Sequence, residues 1–297
     1  MKLALIGLGH WGKNIQRILK SIPQVDIVTC DPQAAADYKR IDLIKEHIDA
    51  CFIVTPADTH YDLTTKALMY GWHCFVEKPL TKSVVEAAKL CELAYCRNKV
   101  LFVDHQYLYN PAINEIKTLI MQDKIGKINY MYARTLKLGK VRADVDTLWN
   151  FAPHNVSVFN YLLGDMPDSL NCIGWQYNHD ISDVAFLTLN YPNNINCHLQ
   201  VSWLDYQKVR DLMICGTKGA IFYDDVIQSL QFINSNSHRQ YIALPRFEPL
   251  ELSVKAFLNS TQSRIPPVNC GYRGLDVVKI LEAAQESMRN SGEVRTI

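Results

Sequence analysis

The sequence of 297 residues has no CxxC pair, no run of basic residues and no apolar stretch approaching the ~20 residues that a membrane-spanning helix needs. The missing CxxC and the odd count of nine cysteines argue against a disulfide framework or a zinc site. Several cysteines lie inside apolar runs, where a reduced thiol behaves as a small hydrophobe, and this favours a reducing compartment. A net charge of +1 provides no field aimed at nucleic acid or a membrane surface. Internal repeats and low-complexity segments are also missing. The first strand runs straight into a glycine turn and leaves no room for a cleavable leader, so the expected location is the cytoplasm. What is present is an ordinary globular composition, 48% hydrophobic and 21% charged, in a chain long enough for two domains.

Leu3-Ala4-Leu5-Ile6 is a short apolar run that suits a buried parallel strand. Gly7-Leu8-Gly9-His10-Trp11-Gly12 follows, and Ile15, Ile18 and Leu19 then fall on one helical face. The next strand, Val25 to Cys30, ends at Asp31, 19 residues beyond Gly12. GxGxxG between a strand and a helix, with an acid at that spacing, is the dinucleotide-binding pattern. Gly7 makes the tight turn, Gly9 lets the backbone approach a pyrophosphate, and Gly12 lets helix and strand pack closely. The helix N-terminus offers oriented N–H groups to the phosphates, placing His10 and Trp11 beside the cofactor. A carboxylate at Asp31 accepts from a ribose 2′-hydroxyl and repels a 2′-phosphate, which favours NAD. Lys39 and Arg40 lie close enough in sequence to keep NADP open.

The alternation continues through strands at Ala50–Thr55, His73–Glu77 and Val100–Val103, with helices between them. Helix N-caps are expected at Asp58 or Thr59 and at Ser83. The reading is a doubly wound parallel sheet, and ligands of such sheets bind outside the carboxyl ends of the strands. The glycine turn, Thr55-Pro56, Glu77-Lys78 and His105 all fall at those ends. Lys78 is the sharpest candidate there, since a lysine at the mouth of a buried strand is costly unless it has a role. The Glu77-Lys78-Pro79 tripeptide by itself favours the plainer reading, a surface lysine before a proline.

Beyond Pro111 the pattern changes to long alternating runs at Ile128–Leu138, Ser182–Asn190, Ile195–Trp203 and Asp211–Cys215, with a hairpin turn at Gly216-Thr217-Lys218-Gly219. The expected fold class is therefore α/β: a Rossmann domain over residues 1–120, then an α+β domain over residues 121–297 with a large, mainly antiparallel open sheet. One helix, Ala152 to Leu163, interrupts the strands, and two more close the chain. His154 near the start of that helix would feel the positive dipole end, which favours the neutral ring that a general base needs. Arg134, Lys137 and Arg142 stand either to meet a diphosphate or to form a solvated strand face. The uncovered face of the sheet, with Tyr130, Tyr132, Phe186 and Trp203 as contributors, suggests a homodimer or homotetramer.

Four segments together carry a resemblance: Gly7-x-Gly9-x-x-Gly12, Thr55-Pro56-Ala57-Asp58-Thr59-His60, Glu77-Lys78-Pro79, and Trp149 to His154 followed by Tyr161-Leu162-Leu163-Gly164. In order and spacing the whole chain resembles the Gfo/Idh/MocA family of NAD(P)-dependent sugar oxidoreductases, most closely its members acting on nucleotide-linked sugars. The resemblance implies that Lys78 hydrogen-bonds the reacting oxygen and that His154 moves the proton. It implies that Thr55, Pro56, His60 and Glu77 line the cofactor. His105, Tyr107 and Asn110-Pro111 would lead towards the substrate. One position departs: Asn150, four residues before His154, stands where many members have Asp, and Asn155 where close relatives often do. Asn hydrogen-bonds but holds no charge, so the carboxylate that would favour charged Lys78 or His154 is gone. A dinucleotide-binding regulator without turnover, or a dehydrogenase of free aldoses or inositols, are the alternatives within the resemblance.

Overall fold

A computed structural model describes residues 1–139, 141, 145–263 and 265–297. Its helices are α1 (His10–Ser21), α2 (His60–Met69), α3 (Val84–Cys96), α4 (Pro111–Met121), α5 (Thr147–Leu163), α6 (Pro249–Ser263) and α7 (Gly271–Arg289). By their contacts the residues form two compact units, Met1–Gln106 with Glu248–Val278, and Tyr107–Phe247 with Lys279–Ile297.

The first unit holds five parallel strands, β1 (Lys2–Ile6), β2 (Asp26–Cys30), β3 (Ala50–Ile53), β4 (His73–Val76) and β5 (Leu101–Val103), in the order β2-β1-β3-β4-β5. Their continuous apolar runs are explained by burial on both faces: Leu3, Leu5, Phe52, Ile53 and Phe75 have no accessible surface. Ser83 caps α3 by accepting from the Glu86 N–H. Thr59 precedes α2, but its hydroxyl donates instead to the Pro56 carbonyl at 2.7 Å. The unit is not one contiguous stretch cut at residue 120, because α6 returns to it. Phe257 on α6 meets Phe52, Phe75 and Phe102 at centroid distances of 5.2, 5.6 and 5.6 Å, edge-on to rings that themselves pair at 4.8 and 5.1 Å. Four aromatic rings in one buried cluster supply large apolar area and favourable ring geometry together.

The second unit is built on β6 (Ile128–Leu138), β7 (Ser169–Trp175), β8 (Val184–Tyr191), β9 (Ile195–Ser202), β10 (Leu204–Gly216), β11 (Gly219–Asp224), β12 (Ser229–Asn234), β13 (Arg239–Ile242) and β14 (Arg295–Thr296). They form one sheet, β13-β12-β11-β10-β6-β9-β8-β7-β14, in which β6 and β9 run parallel and the other pairs antiparallel. The alternation read at Ile128–Leu138 is real: Met131 and Ala133 are buried while Tyr130 and Arg134 are exposed. The expected strand Asp211–Cys215 starts earlier, at Leu204, with an irregularity before Val209. Four strands, β7 and β12 to β14, had no clear alternation in sequence.

Two expectations are corrected here. Trp203 does not contribute to the open face of the sheet. It is buried, and its indole N–H donates to Asp183 Oδ1 at 2.5 Å. The helix carrying His154 begins at Thr147, not Ala152, because Asp146 caps it by accepting from the Trp149 N–H at 3.0 Å. Pro153 sits inside it. His154 is therefore beyond the first turn, where the dipole argument for a neutral ring no longer applies.

Asp183 organises the turn between β7 and β8. Burial alone would raise its pKa, but the Asn178 N–H, the Trp203 indole, the Tyr177 N–H and the His179 ring all point at its carboxylate and hold it well below the usual range. A carboxylate depressed in this way stabilises the fold above its unfolded value of about 4, and the contribution is lost as pH falls through the folded value. Asp183→Asn should lower stability at pH 7 by about 1–3 kcal/mol. It should also flatten the loss of stability between about pH 5 and pH 2, read from urea midpoints.

Candidate functional site

In the first unit, the sequence-predicted residues gather at the carboxyl ends of the strands. Gly7 has φ of +96°, and a Cβ there would lie 2.3 Å from the Val54 carbonyl oxygen. A Cβ at Gly12 would lie 2.0 Å from the Gly7 oxygen. Both glycines are thus required by close approach of β1, α1 and the end of β3. Gly9 differs, since a Cβ there would meet nothing within 4 Å. An open cradle beside the first turn of α1 fits a pyrophosphate, which the helix amides attract. His10 and Trp11 form the exposed first turn of α1, ring against ring at 5.6 Å.

Asp31 accepts from the Leu8 N–H at 2.7 Å through Oδ2, and from the Gln33 and Ala34 N–H groups at 2.8 and 2.7 Å through Oδ1. Burial works against its charge, but the Ala34, Leu8 and Gln33 amides outweigh it and keep the carboxyl below its usual range. An ionised carboxylate has about four lone-pair positions, so capacity remains for a ribose hydroxyl. Lys39 donates to the Ala34 carbonyl at 2.8 Å and Arg40 pairs with Asp42 at 2.9 Å.

Thr55 and Pro56 follow β3, with the Thr55 hydroxyl 2.6 Å from that of Thr59. His60 is buried, and its ring nitrogens face the Pro79 carbonyl at 2.7 Å and the Thr55 carbonyl at 3.0 Å. It ties the loop after β3 to the loop after β4, which contains Lys78. The Lys78–Pro79 peptide is cis. Glu77 Oε2 accepts from the Lys78 N–H at 3.2 Å. His105 is buried, and burial, aided by the Lys78 charge, pushes its pKa down to about 3, so its ring is neutral at any ordinary pH.

Sequence reasoning missed Asp104, which is buried beside this group and accepts from the Ser253 hydroxyl of α6 at 2.5 Å. Burial, and then the nearby Glu77 charge, push its pKa well up, towards the protonated form. An acid directly before His105 at a strand end was the available signal. Lys78 therefore stands among Glu77, an Asp104 whose charge is disfavoured, and a neutral His105.

In the second unit, Asn150 and His154 are four residues apart on α5, hence on one face, and both are half-buried. The His154 ring packs against Tyr107 with centroids 5.1 Å apart. Asn155 turns instead to β6 and donates to the Thr135 hydroxyl at 3.1 Å. Arg134 is paired with Asp211 on β10, with Nε 3.1 Å from Oδ1. Lys137 lies over the Phe151 ring of α5 at 5.2 Å. Arg142 lies outside the described residues.

Around Tyr107 there is a network that no motif announces. The Tyr107 hydroxyl donates to Asp225 Oδ2 at 2.9 Å, and Arg210 Nη1 donates to both, at 2.7 and 3.0 Å. The Tyr223 hydroxyl donates to Asp225 Oδ1 at 2.7 Å and accepts from Asn110 at 3.0 Å. Arg210 and Asp225 come from β10 and the turn after β11. Their sequence neighbourhoods look like any polar strand or turn. Among the described residues no group of acids, histidines and cysteines is placed to hold a metal ion, and no helix is long and apolar enough to cross a membrane.

Two family models match this sequence: the oxidoreductase family with an NAD-binding Rossmann fold over residues 1–105, and the Gfo/Idh/MocA C-terminal domain over residues 113–222. A UDP-N-acetylglucosamine 3-dehydrogenase from Acidithiobacillus ferrooxidans is 25% identical, over 94% of each chain. Its crystal structure superposes with a TM-score of 0.89 over 98% of both chains, at 23% identity. A scyllo-inositol 2-dehydrogenase (NAD(+)) from Bacillus subtilis is 33% identical over 84% of this chain and 78% of its own. The fold is also similar to an inositol dehydrogenase homologue from Azotobacter vinelandii, solved with NADH and myo-inositol, at a TM-score of 0.85 and 17% identity over 100% of this chain and 97% of the other. Matched in both halves by models of one family, the chain belongs to the Gfo/Idh/MocA oxidoreductases, a family with an NAD-binding Rossmann fold.

Proposed function

We propose that this protein transfers hydride between NAD and a carbinol carbon of a sugar, and that the sugar is nucleotide-linked. The observation that carries the reading is the equipment of the two units. The first has a phosphate cradle and a lysine at the strand ends, and the second has a half-buried histidine on α5. Likeness to a UDP-N-acetylglucosamine 3-dehydrogenase along nearly the whole of both chains supports the nucleotide-linked substrate. The Gly7–Gly12 turn would hold the pyrophosphate, Asp31 a ribose, and Thr55, Pro56 and Glu77 the nicotinamide end. NAD is favoured over NADP because Asp31 is ionised and both nearby cations are engaged, Lys39 on a carbonyl and Arg40 on Asp42.

NAD, when bound, supplies the hydride acceptor. Everything else falls to this chain's residues. His154 in its neutral form accepts the hydroxyl proton. The Lys78 ammonium stabilises negative charge developing on the same oxygen. Burial disfavours charge on both Asp104 and His105, next to Lys78. A free inositol is the second reading. The 33% identical relative from B. subtilis favours it, as does the loss of Arg134 to Asp211. A homo-oligomer is part of the proposal, with the open face of the large sheet as the contact. Tyr130, Trp175 and Phe186 lie there, each more than two-fifths exposed.

Three tests follow from these roles. With UDP-sugars, dTDP-sugars and inositols supplied in turn alongside NAD⁺, NADH formation should appear with a UDP-sugar. Lys78→Ala should lower that rate about 10²–10³-fold, and a variant as active as wild type would remove Lys78 from the chemistry. Asn150→Asp adds a carboxylate four residues before His154 and so favours the imidazolium. The acid limb of the pH–rate profile for oxidation should then move to higher pH. If wild type is inactive and Asn150→Asp is active, the site is that of a dinucleotide-binding regulator. Native mass spectrometry should show a dimer or tetramer, and a Tyr130→Glu, Phe186→Glu double variant should be monomeric.

A further inference from the structure

His154 is held through Tyr107. The histidine ring rests on the tyrosine ring, and the tyrosine hydroxyl is fixed from two sides, by Asp225 at 2.9 Å and Arg210 at 2.7 Å. Arg210 and Asp225 are also joined to each other, side chain to side chain at 3.0 Å and by the Asp225 N–H donating to the Arg210 carbonyl at 2.9 Å. Tyr223 anchors the second Asp225 oxygen, and Asn110, which caps α4, anchors Tyr223. A cavity of about 40 Å³ lies against this network, lined by Tyr107, Asn155, Arg210, Asp211, Tyr223 and Asp225 with apolar neighbours. The arrangement places a compensated cation and anion one aromatic ring away from the proposed proton acceptor.

We propose that Arg210 and Asp225 are positioning residues that act through Tyr107, fixing the orientation of the His154 ring and balancing the charge it senses. The proposal rests on the reading of His154 as the residue that exchanges the proton. Burial keeps the Tyr107 phenol protonated, so its hydroxyl donates to Asp225 and does not become a third charge. The other charged groups on the elements around α5 have neighbours of their own. On β6, Arg134 is paired with Asp211 of β10, and Lys137 lies over Phe151 of α5 itself, where the Arg210 and Lys208 charges also act on it. On α4, Lys117 donates to the carbonyls of Tyr161 and Leu162 at the far end of α5, and Glu115 shares that helix. On β9, His198 is exposed and pairs with Thr188. On α5's own N-terminus, Asp146 is the cap. β8 carries no charged residue.

A balanced pair has a distinctive signature, because removing either member exposes the other. Asp225→Asn leaves the Arg210 cation uncompensated and disfavours the imidazolium, so the His154 pKa should fall. Arg210→Gln leaves the Asp225 anion uncompensated, so it should rise. Each shift should be about half a pH unit at this separation. A purely structural network would loosen in both variants without opposite signs.

The experiment is the NMR titration of histidine ring signals in the full-length ¹⁵N-labelled protein without substrate, with His154→Gln identifying the His154 signal. Shifts of opposite sign support the proposal. Two unshifted titrations, or two shifts of the same sign, overturn it. Each variant carries its own expected sign, so if one fails to fold the other still decides. Substrate is absent, so the result does not depend on turnover. Whether His154 is the proton acceptor is decided separately, by the activity of His154→Gln with NAD⁺ and the UDP-sugar.

Discussion

The first turn of the parallel sheet leaves no space for side chains, and much of the candidate site depends on that constraint. α1 starts so close to β1 that Gly12 sits over the Gly7 carbonyl, while Gly7 itself is pressed against the end of β3. The helix N-terminus is thereby held at the strand ends, where its amides can face an anion. Replacing either glycine would push α1 away and scatter the donors. Gly9 alone is spared this crowding, and it is the glycine whose role is to admit something. A backbone made of close contacts on two sides and an opening on the third is preorganised for a phosphate.

The electrostatics of the Lys78 neighbourhood follow from depth. Strands buried on both faces end in a ring of polar groups, and those that remain deep are driven to their neutral forms. Asp104 and His105 are adjacent and both deep, and depth pushes the pKa of the one up and of the other down. Charge is left to the shallower Glu77 and Lys78. His60 adds rigidity by bridging the carbonyl groups of two different strand-end loops. In the second unit the solution is different. There Arg210 and Asp225 are paired with each other, and tyrosine hydroxyls fill further hydrogen-bond positions.

Much of the first unit was legible in the sequence because its signals are local. A four-residue apolar run between Gly and Pro can be little other than a buried strand, and GxGxxG with Asp31 at the right spacing names its own geometry. The second unit was legible only where strands alternate cleanly. At Ile128–Leu138 the alternation gives the strand to the residue, but β12 to β14 are short, polar or at the sheet edge, and their residues show no period. The start of α5 was misplaced because Pro153 reads as a helix beginning, whereas Asp146 made the cap seven residues earlier. Trp203 was placed on the open face although continuing the alternation of β9 puts it with the buried Cys197, Leu199 and Val201. Lys78 and His154 were found through motifs. Arg210 and Asp225 were not, since their partnership spans more than a hundred residues back to Tyr107 and leaves no mark in any short window.

Phe257 has a consequence for how the chain is made. The aromatic cluster of the first unit takes three rings from strands complete by residue 103 and the fourth from a helix that begins at Pro249. The unit boundary is crossed again within α7, after Val278. During synthesis, the three strand rings must therefore wait for the fourth while the intervening unit of some 140 residues is translated. At about 5–20 residues per second that delay lasts on the order of ten seconds, long compared with the folding of a small domain. The sheet is made before the intervening unit, but its core is closed only after it.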